Sequence, residues 1–96
     1  MTLEIAHSQV KPGQGEAFEH AFAEPQKIIS AMRGYRGHEL QPCLEDDQRY
    51  ALLVKWDRLE DHTVGFRRSP EYQTWRSLLH HFYEPAPVVE HFTKVA

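Results

Sequence analysis

Two periods of apolar spacing alternate along the chain, and the switches between them mark out its elements. Leu3 to Val10 has period two: Leu3 and Ile5 point one way, and Ala6 and Val10 the other. Such alternation predicts a strand. Lys11-Pro12-Gly13 ends it with turn chemistry. From Gln14 to Met32 the apolar positions are Phe18, Ala21, Phe22, Ile28, Ile29 and Met32, spaced by three and four along one helical face. Pro25 predicts a kink or two short helices meeting at Glu24-Pro25, because proline removes a hydrogen bond and crowds the preceding turn. Gly34 closes the segment.

Tyr35 to Pro42 reads as a second strand, the acidic stretch Cys43 to Gln48 as a hairpin loop, and Arg49 to Trp56 as a third strand. The run Ala51-Leu52-Leu53-Val54 predicts burial on both faces. Asp57 with Glu60 has capping-box spacing and opens a helix carrying Leu59, His62, Thr63 and Phe66 on one face. Ser69-Pro70-Glu71 opens another, with serine as N-cap, proline first and an acid in the first turn. Its inward face is Tyr72, Trp75, Leu79 and Phe82. Glu84-Pro85-Ala86-Pro87 stops it, and Val88 to Thr93 forms a last strand. Taken together, strand, helix, strand, strand, helix, strand predicts a ferredoxin-like α+β sandwich, βαββαβ, with an antiparallel sheet. Only one sheet face takes helices, so an apolar opposite face calls for a partner, and a second copy of the chain is the simplest one.

The 96 residues fit a single domain, 1–96. A net charge of −3, with no basic patch beyond Arg67-Arg68, disfavours nucleic acid. One cysteine, Cys43, suits a reducing compartment. The first residues lack a signal-peptide pattern, and no stretch is long and apolar enough to span a membrane. The expectation is a cytoplasmic protein without membrane contact.

Seven histidines raise the question of a metal, but none are paired four apart on a predicted helix, and no HExxH or CxxC motif occurs. Gly13-Gln14-Gly15 is too short for a dinucleotide fingerprint, and no nucleophile elbow is present. The informative faces follow Trp56. His62 and Phe66 are four apart, and Tyr72 and Trp75 three apart, so the four can converge if both helices lie on one sheet. Imidazole moves protons near neutral pH and a phenol donates to a ligand oxygen, which suits a flat phenolic or quinone-like ligand. The competing reading makes the aromatics core and gives His62 a backbone carbonyl as partner. His38, in phase with Arg36 and Leu40, and His7, in phase with Ile5, are further candidates whose strand phase stays open.

The run YALLVKWDRLEDHTVGFRRSPEYQTWRSLLHHF, the later EPAPVVEHF and the opening VKPGQGEAFEHAF resemble the antibiotic biosynthesis monooxygenase family, a branch of the dimeric α+β barrel superfamily. The matching features are a strand ending in Trp56, an acidic helix with His62, the segment Ser69, Pro70, Tyr72, and a Pro-Val-rich last strand. The resemblance covers nearly the whole chain. It implies two chains pairing their sheets into a barrel with helices outside. It also implies, for the best-understood members, oxygenation of aromatic polyketides or quinols without flavin, haem or metal. On that footing the expected function is a cofactor-independent monooxygenase. His62 is its proton acceptor or oxyanion partner and Tyr72 its hydrogen-bond donor. Phe66, Trp75 and His38 contact the substrate. The alternative is a non-oxygenase barrel that binds or isomerises a small metabolite. Relatives that degrade haem use an asparagine, a tryptophan and a histidine. Here the first strand has no asparagine, and Phe66 and Arg76 stand where the other two would be.

Overall fold

The computed structural model describes all 96 residues. Strand β1 (Thr2–Gln9) is followed by helices α1 (Gly15–Ala21) and α2 (Ala23–Ser30), then β2 (Tyr35–Pro42) and β3 (Arg49–Trp56). A π-helical segment (Asp61–Phe66), helix α3 (Pro70–Leu79), a 3₁₀ turn (His80–Phe82) and β4 (Val88–Phe92) complete the chain. The sheet runs β2-β3-β1-β4, and every neighbouring pair is antiparallel. This is the ferredoxin-like α+β fold: one layer of helices on one face of a four-stranded sheet, in a slab 20 Å thick. No helix is long and apolar enough to cross a membrane.

Two aromatic hubs hold the layers together. Phe18 from α1 meets Phe22, Tyr50, Phe82 and Tyr83 with ring centroids between 5.0 and 6.2 Å apart. Phe66 meets Trp56, Tyr72 and Trp75 at 6.1, 5.3 and 5.5 Å, the last two edge to face. That geometry sets ring hydrogens against the π face and adds to the hydrophobic gain of burial. Trp56 is fully buried and belongs to this core.

Several expectations are corrected. The break between α1 and α2 falls at Phe22, and Pro25 sits in the first turn of α2, where its missing N–H costs nothing. In β3 only Tyr50, Leu52, Val54 and Trp56 are buried; Ala51 and Leu53 face the open side of the sheet and are only partly covered. The helix after Trp56 is π, not α, and Asp57 does not cap it. The Asp57 carboxylate pairs instead with Arg36, while the Asp61 carboxylate accepts the N–H of Arg58 at 3.1 Å. The last strand ends at Phe92, one residue short of the predicted Thr93.

A bulge settles the phase of β2. Tyr35 pairs with Trp56 and Gly37 with Lys55, so one residue is left over between them, and Gly37 takes φ +140° to accommodate it. From there His38 pairs with Val54, which turns it toward the helices. His7 goes the other way, to the open face, where it lies 3.2 Å from Glu90.

Candidate active site

The sheet supplies the floor of the site and the chain after Trp56 its roof. Beyond Trp56 the backbone makes i→i+5 hydrogen bonds, such as Arg67 N–H to the His62 carbonyl at 3.0 Å. Turns of this kind recur at functional sites because they re-aim side chains. This one lowers His62 and Phe66 onto the sheet, both almost fully buried. Ser69 then sets the angle of α3. Its hydroxyl accepts from the Tyr72 N–H at 3.2 Å and donates to the Phe66 carbonyl at 2.6 Å. One side chain thus caps α3 and ties it to the preceding segment.

Between roof and floor lies a cavity of about 270 Å³. His62, Phe66, Tyr72 and Trp75 all line it. The sheet contributes Glu4, Ala6, Ser8, Leu52 and Val89, and the rim adds Arg67 and Tyr83. The volume is at the small end of ligand pockets, and the mix of apolar walls with a few polar groups is typical of them. His38 is not among the lining residues. It bonds to the Tyr35 hydroxyl at 2.5 Å and to Gln26 at 3.3 Å in a separate, shallower groove of about 460 Å³ against α1 and α2. Burial holds its imidazole below the usual value.

The polar centre of the cavity is a residue that the reading of the sequence passed over. Glu4 is 4% exposed, and its Oε1 accepts the Trp56 indole N–H at 3.0 Å. His62 Nε2 stands 3.4 Å from the same oxygen, the outer edge of hydrogen-bonding range. On its other side, His62 Nδ1 meets His91 Nε2 at 2.8 Å. The His62 ring stacks on Trp56 at 5.6 Å between centroids, which fixes its plane.

Burial disfavours charge on both partners, in opposite directions. It pushes the Glu4 carboxyl up to about 7, with the Trp56 hydrogen bond and the positive charge of Arg67 pulling the other way. It pushes the His62 imidazole down to about 3, helped by Arg67 and His91. The pair is therefore uncharged in mildly acidic solution, and the group that changes state near neutral pH is the carboxyl. Tyr83 at the rim is raised to about 12, chiefly by burial. His62, expected as proton acceptor or oxyanion partner, is the weaker base of the two at this site.

A signal for Glu4 does exist in the sequence. It is in phase with Ala6, Ser8 and Val10, the side of β1 that faces the helices. His91 carries the matching signal on β4, because it is in phase with Val89 and pairs directly with Glu4.

The sequence pattern of antibiotic biosynthesis monooxygenases matches residues 1–78. The chain belongs to the antibiotic biosynthesis monooxygenase family. It is 52% identical over 95 residues to the uncharacterized protein YczJ of Bacillus subtilis (strain 168), covering 99% of this chain and 100% of YczJ. A crystal structure from Bordetella bronchiseptica, described as of this family, superposes with a TM-score of 0.95 at 36% identity, covering 99% of this chain and 97% of the other. SnoaB, a cofactor-independent oxygenase from Streptomyces nogalater, shares the fold, with a TM-score of 0.82 at 19% identity over 99% of this chain and 93% of SnoaB.

Proposed function

We propose that this family member is a cofactor-independent monooxygenase acting on a small aromatic, polyketide or quinol substrate with dioxygen. One observation carries the reading: a small cavity walled by Phe66 and Trp75 has a buried carboxyl and imidazole, Glu4 and His62, at its centre. The volume favours a compact quinol or anthrone over a larger polyketide. Such a substrate supplies its own electrons. Loss of a proton gives an electron-rich anion that reduces dioxygen; one oxygen atom enters the ring system as a carbonyl and the other leaves as water. The protein's part is to exclude water, manage the proton and hold the developing oxyanion. In this reading Tyr72 donates to that oxyanion, and His62 is its partner or carries the proton. The functional unit is a cytoplasmic homodimer paired through the open sheet face.

Oxygen uptake tests the reading. A hydroquinone or anthrone should be consumed with stoichiometric loss of dioxygen and with no added flavin, haem or metal. The same buried acid and imidazole pair would also serve an isomerase, which moves a proton without oxidation. Turnover that proceeds equally well under argon would reject the oxygenase and leave the isomerising barrel.

A further inference from the structure

We infer that Glu4, His62 and His91 form a proton relay joining the cavity to solvent, in which Glu4 takes the substrate's proton and the two imidazoles pass it outward. The inference rests on the reading above and names the groups that perform its acid-base step.

The geometry is directional. Both ring nitrogens of His62 are engaged, Nε2 toward Glu4 at 3.4 Å and Nδ1 toward His91 at 2.8 Å. Nδ1 is taken up by His91, so Nε2, which faces Glu4, is the nitrogen through which His62 exchanges a proton on the cavity side. Glu4 lines the cavity itself and is the carboxyl available to accept a proton from a ligand. His91 is only partly buried and opens the far end to water. The arrangement is set by the fold. Glu4 and His91 are direct partners across β1 and β4, and the π-helical segment lowers His62 onto them.

An imidazole can accept at one nitrogen and release from the other, so it conducts a proton without becoming charged for long. In the outward pass the acidic bond of the substrate, O–H in a quinol or C–H in an anthrone, breaks and an O–H bond forms on the Glu4 carboxylate. That proton moves to His62 Nε2, the one on Nδ1 moves to His91 Nε2, and one on His91 Nδ1 enters water. Glu4 is again a carboxylate and both rings are neutral, each with its tautomer exchanged. Monooxygenation with loss of water consumes no net proton. A proton therefore returns along the same path to the peroxide oxygen, and the tautomers are restored.

Charge in the surroundings favours this division of labour. The titratable groups of the cavity besides Glu4 are His62, Arg67, Tyr72, His80 and Tyr83, with His91 behind His62. Arg67 disfavours a second positive charge on either imidazole. It favours the ionised form of Glu4, against the effect of burial. Protons thus pass through the histidines and rest on the carboxyl.

Glu4→Gln separates this role from a structural one, because glutamine can still accept the Trp56 N–H but cannot take a proton. The first measurement needs no substrate: the ring nitrogens of His62 and His91, followed by NMR against pH. In the wild type both should report an inflection near neutral pH, distinct from the lower protonation step of His91 itself, that Glu4→Gln abolishes. An absent inflection, or one that survives the substitution, overturns the relay. The second measurement is oxygen uptake with a hydroquinone. Glu4→Gln should lose about 10²–10⁴-fold in kcat with KM little changed, the range of a lost general base. Glu4→Asp should recover part of it. His91→Gln should slow turnover, with rescue by added imidazole. Wild-type turnover in folded Glu4→Gln removes Glu4 from the chemistry, and wild-type turnover in His91→Gln removes the exit. If the wild type oxidises no quinol, the oxygenase reading falls and the NMR titration alone decides the relay.

Discussion

His62 Nε2 lies 3.4 Å from Glu4 Oε1, with both side chains more than nine-tenths buried and no lysine or arginine in ion-pair contact with the carboxylate. An acid and a base placed together out of water titrate against their usual order. Both become hard to charge: the imidazole resists taking a proton and the carboxyl resists losing one.

Stability against pH should show this inversion. The Glu4 carboxyl rises from 4.5 to about 7, so between those values the native chain keeps a proton that the unfolded chain has released. Stability from this group is present below pH 4.5 and is lost as pH rises through that window. His62 falls from 6.5 to about 3, so there the unfolded chain holds the extra proton. Stability from this group is present above pH 6.5 and is lost as pH falls. Between about 4.5 and 6.5 the two cancel, since folding only moves a proton from imidazole to carboxyl. Urea melts of the wild type should therefore show no net slope from this pair across that interval, leaving only the shallow rise that the lowered His38 and His91 contribute. Glu4→Gln removes one side and should expose a rise of about 2–3 kcal/mol from pH 4.5 to 6.5, at about 1.4 kcal/mol per unit. A variant whose curve runs parallel to the wild type contradicts the inverted pair.

Removing polar groups from the cavity should harm turnover more than binding. His62→Ala leaves the aromatic walls in place and should lower kcat by about 10²–10⁴-fold, with a much smaller change in KM. Tyr72→Phe keeps the ring against Phe66 and deletes only the hydroxyl, so a loss of about 10²-fold in kcat is expected if it donates to an oxyanion. Steady-state kinetics on a hydroquinone read both. Unchanged kcat in either variant removes that side chain from its assigned role.

The architecture was legible because alternating and helical spacings, Gly34 and the Ser69-Pro70 cap each mark an element locally. The site was legible in part. His62, Phe66, Tyr72 and Trp75 share one cavity because spacings of three and four set each pair on one helical face and both helical segments pack on one sheet face. Glu4 was missed because a charged residue on an amphipathic strand is ordinarily assigned to water, even in phase with Ala6 and Val10. The i→i+5 turn over Asp61–Phe66 is too short to impose a period that the sequence could display. The face of His38 depended on one unpaired residue, Arg36, between Tyr35 and Gly37, and a one-residue shift exchanges the faces of a strand.

Gly34 joins α2 to β2, and its backbone explains why no other residue fits. Its φ is +83°, and a Cβ there would collide with the Asp61 carboxylate. Gly34→Ala should cost about 1–2 kcal/mol from the left-handed backbone alone. It should cost more if Asp61 must abandon the Arg58 N–H. Chemical denaturation measures the total. Because Asp61 opens the segment that carries His62, the variant should also lower activity in the folded state. A neutral substitution would show that both the turn and the carboxylate relax freely.

The open sheet face sets the last expectation. Leu3, Ile5, Leu53, Val88 and Phe92 share it; Val88 is 61% and Phe92 46% exposed in the isolated chain. Apolar side chains left open on one face of a thin two-layer slab are stabilised by being covered. A second copy supplies a surface of the same shape and a closed two-fold assembly. Leu53 lies near the middle of this face, opposite Ile5 across the β1–β3 ladder. Leu53→Glu would place like charges near one another across such an interface without touching the helix-covered core. The wild type should sediment as a dimer and Leu53→Glu as a folded monomer with an unchanged far-ultraviolet spectrum. A monomeric wild type would remove the interface altogether, and a variant that still dimerises with wild-type affinity would place it elsewhere. Because Leu53 faces away from Glu4 and His62, the NMR titration of the His62 and His91 ring nitrogens should persist in the monomer.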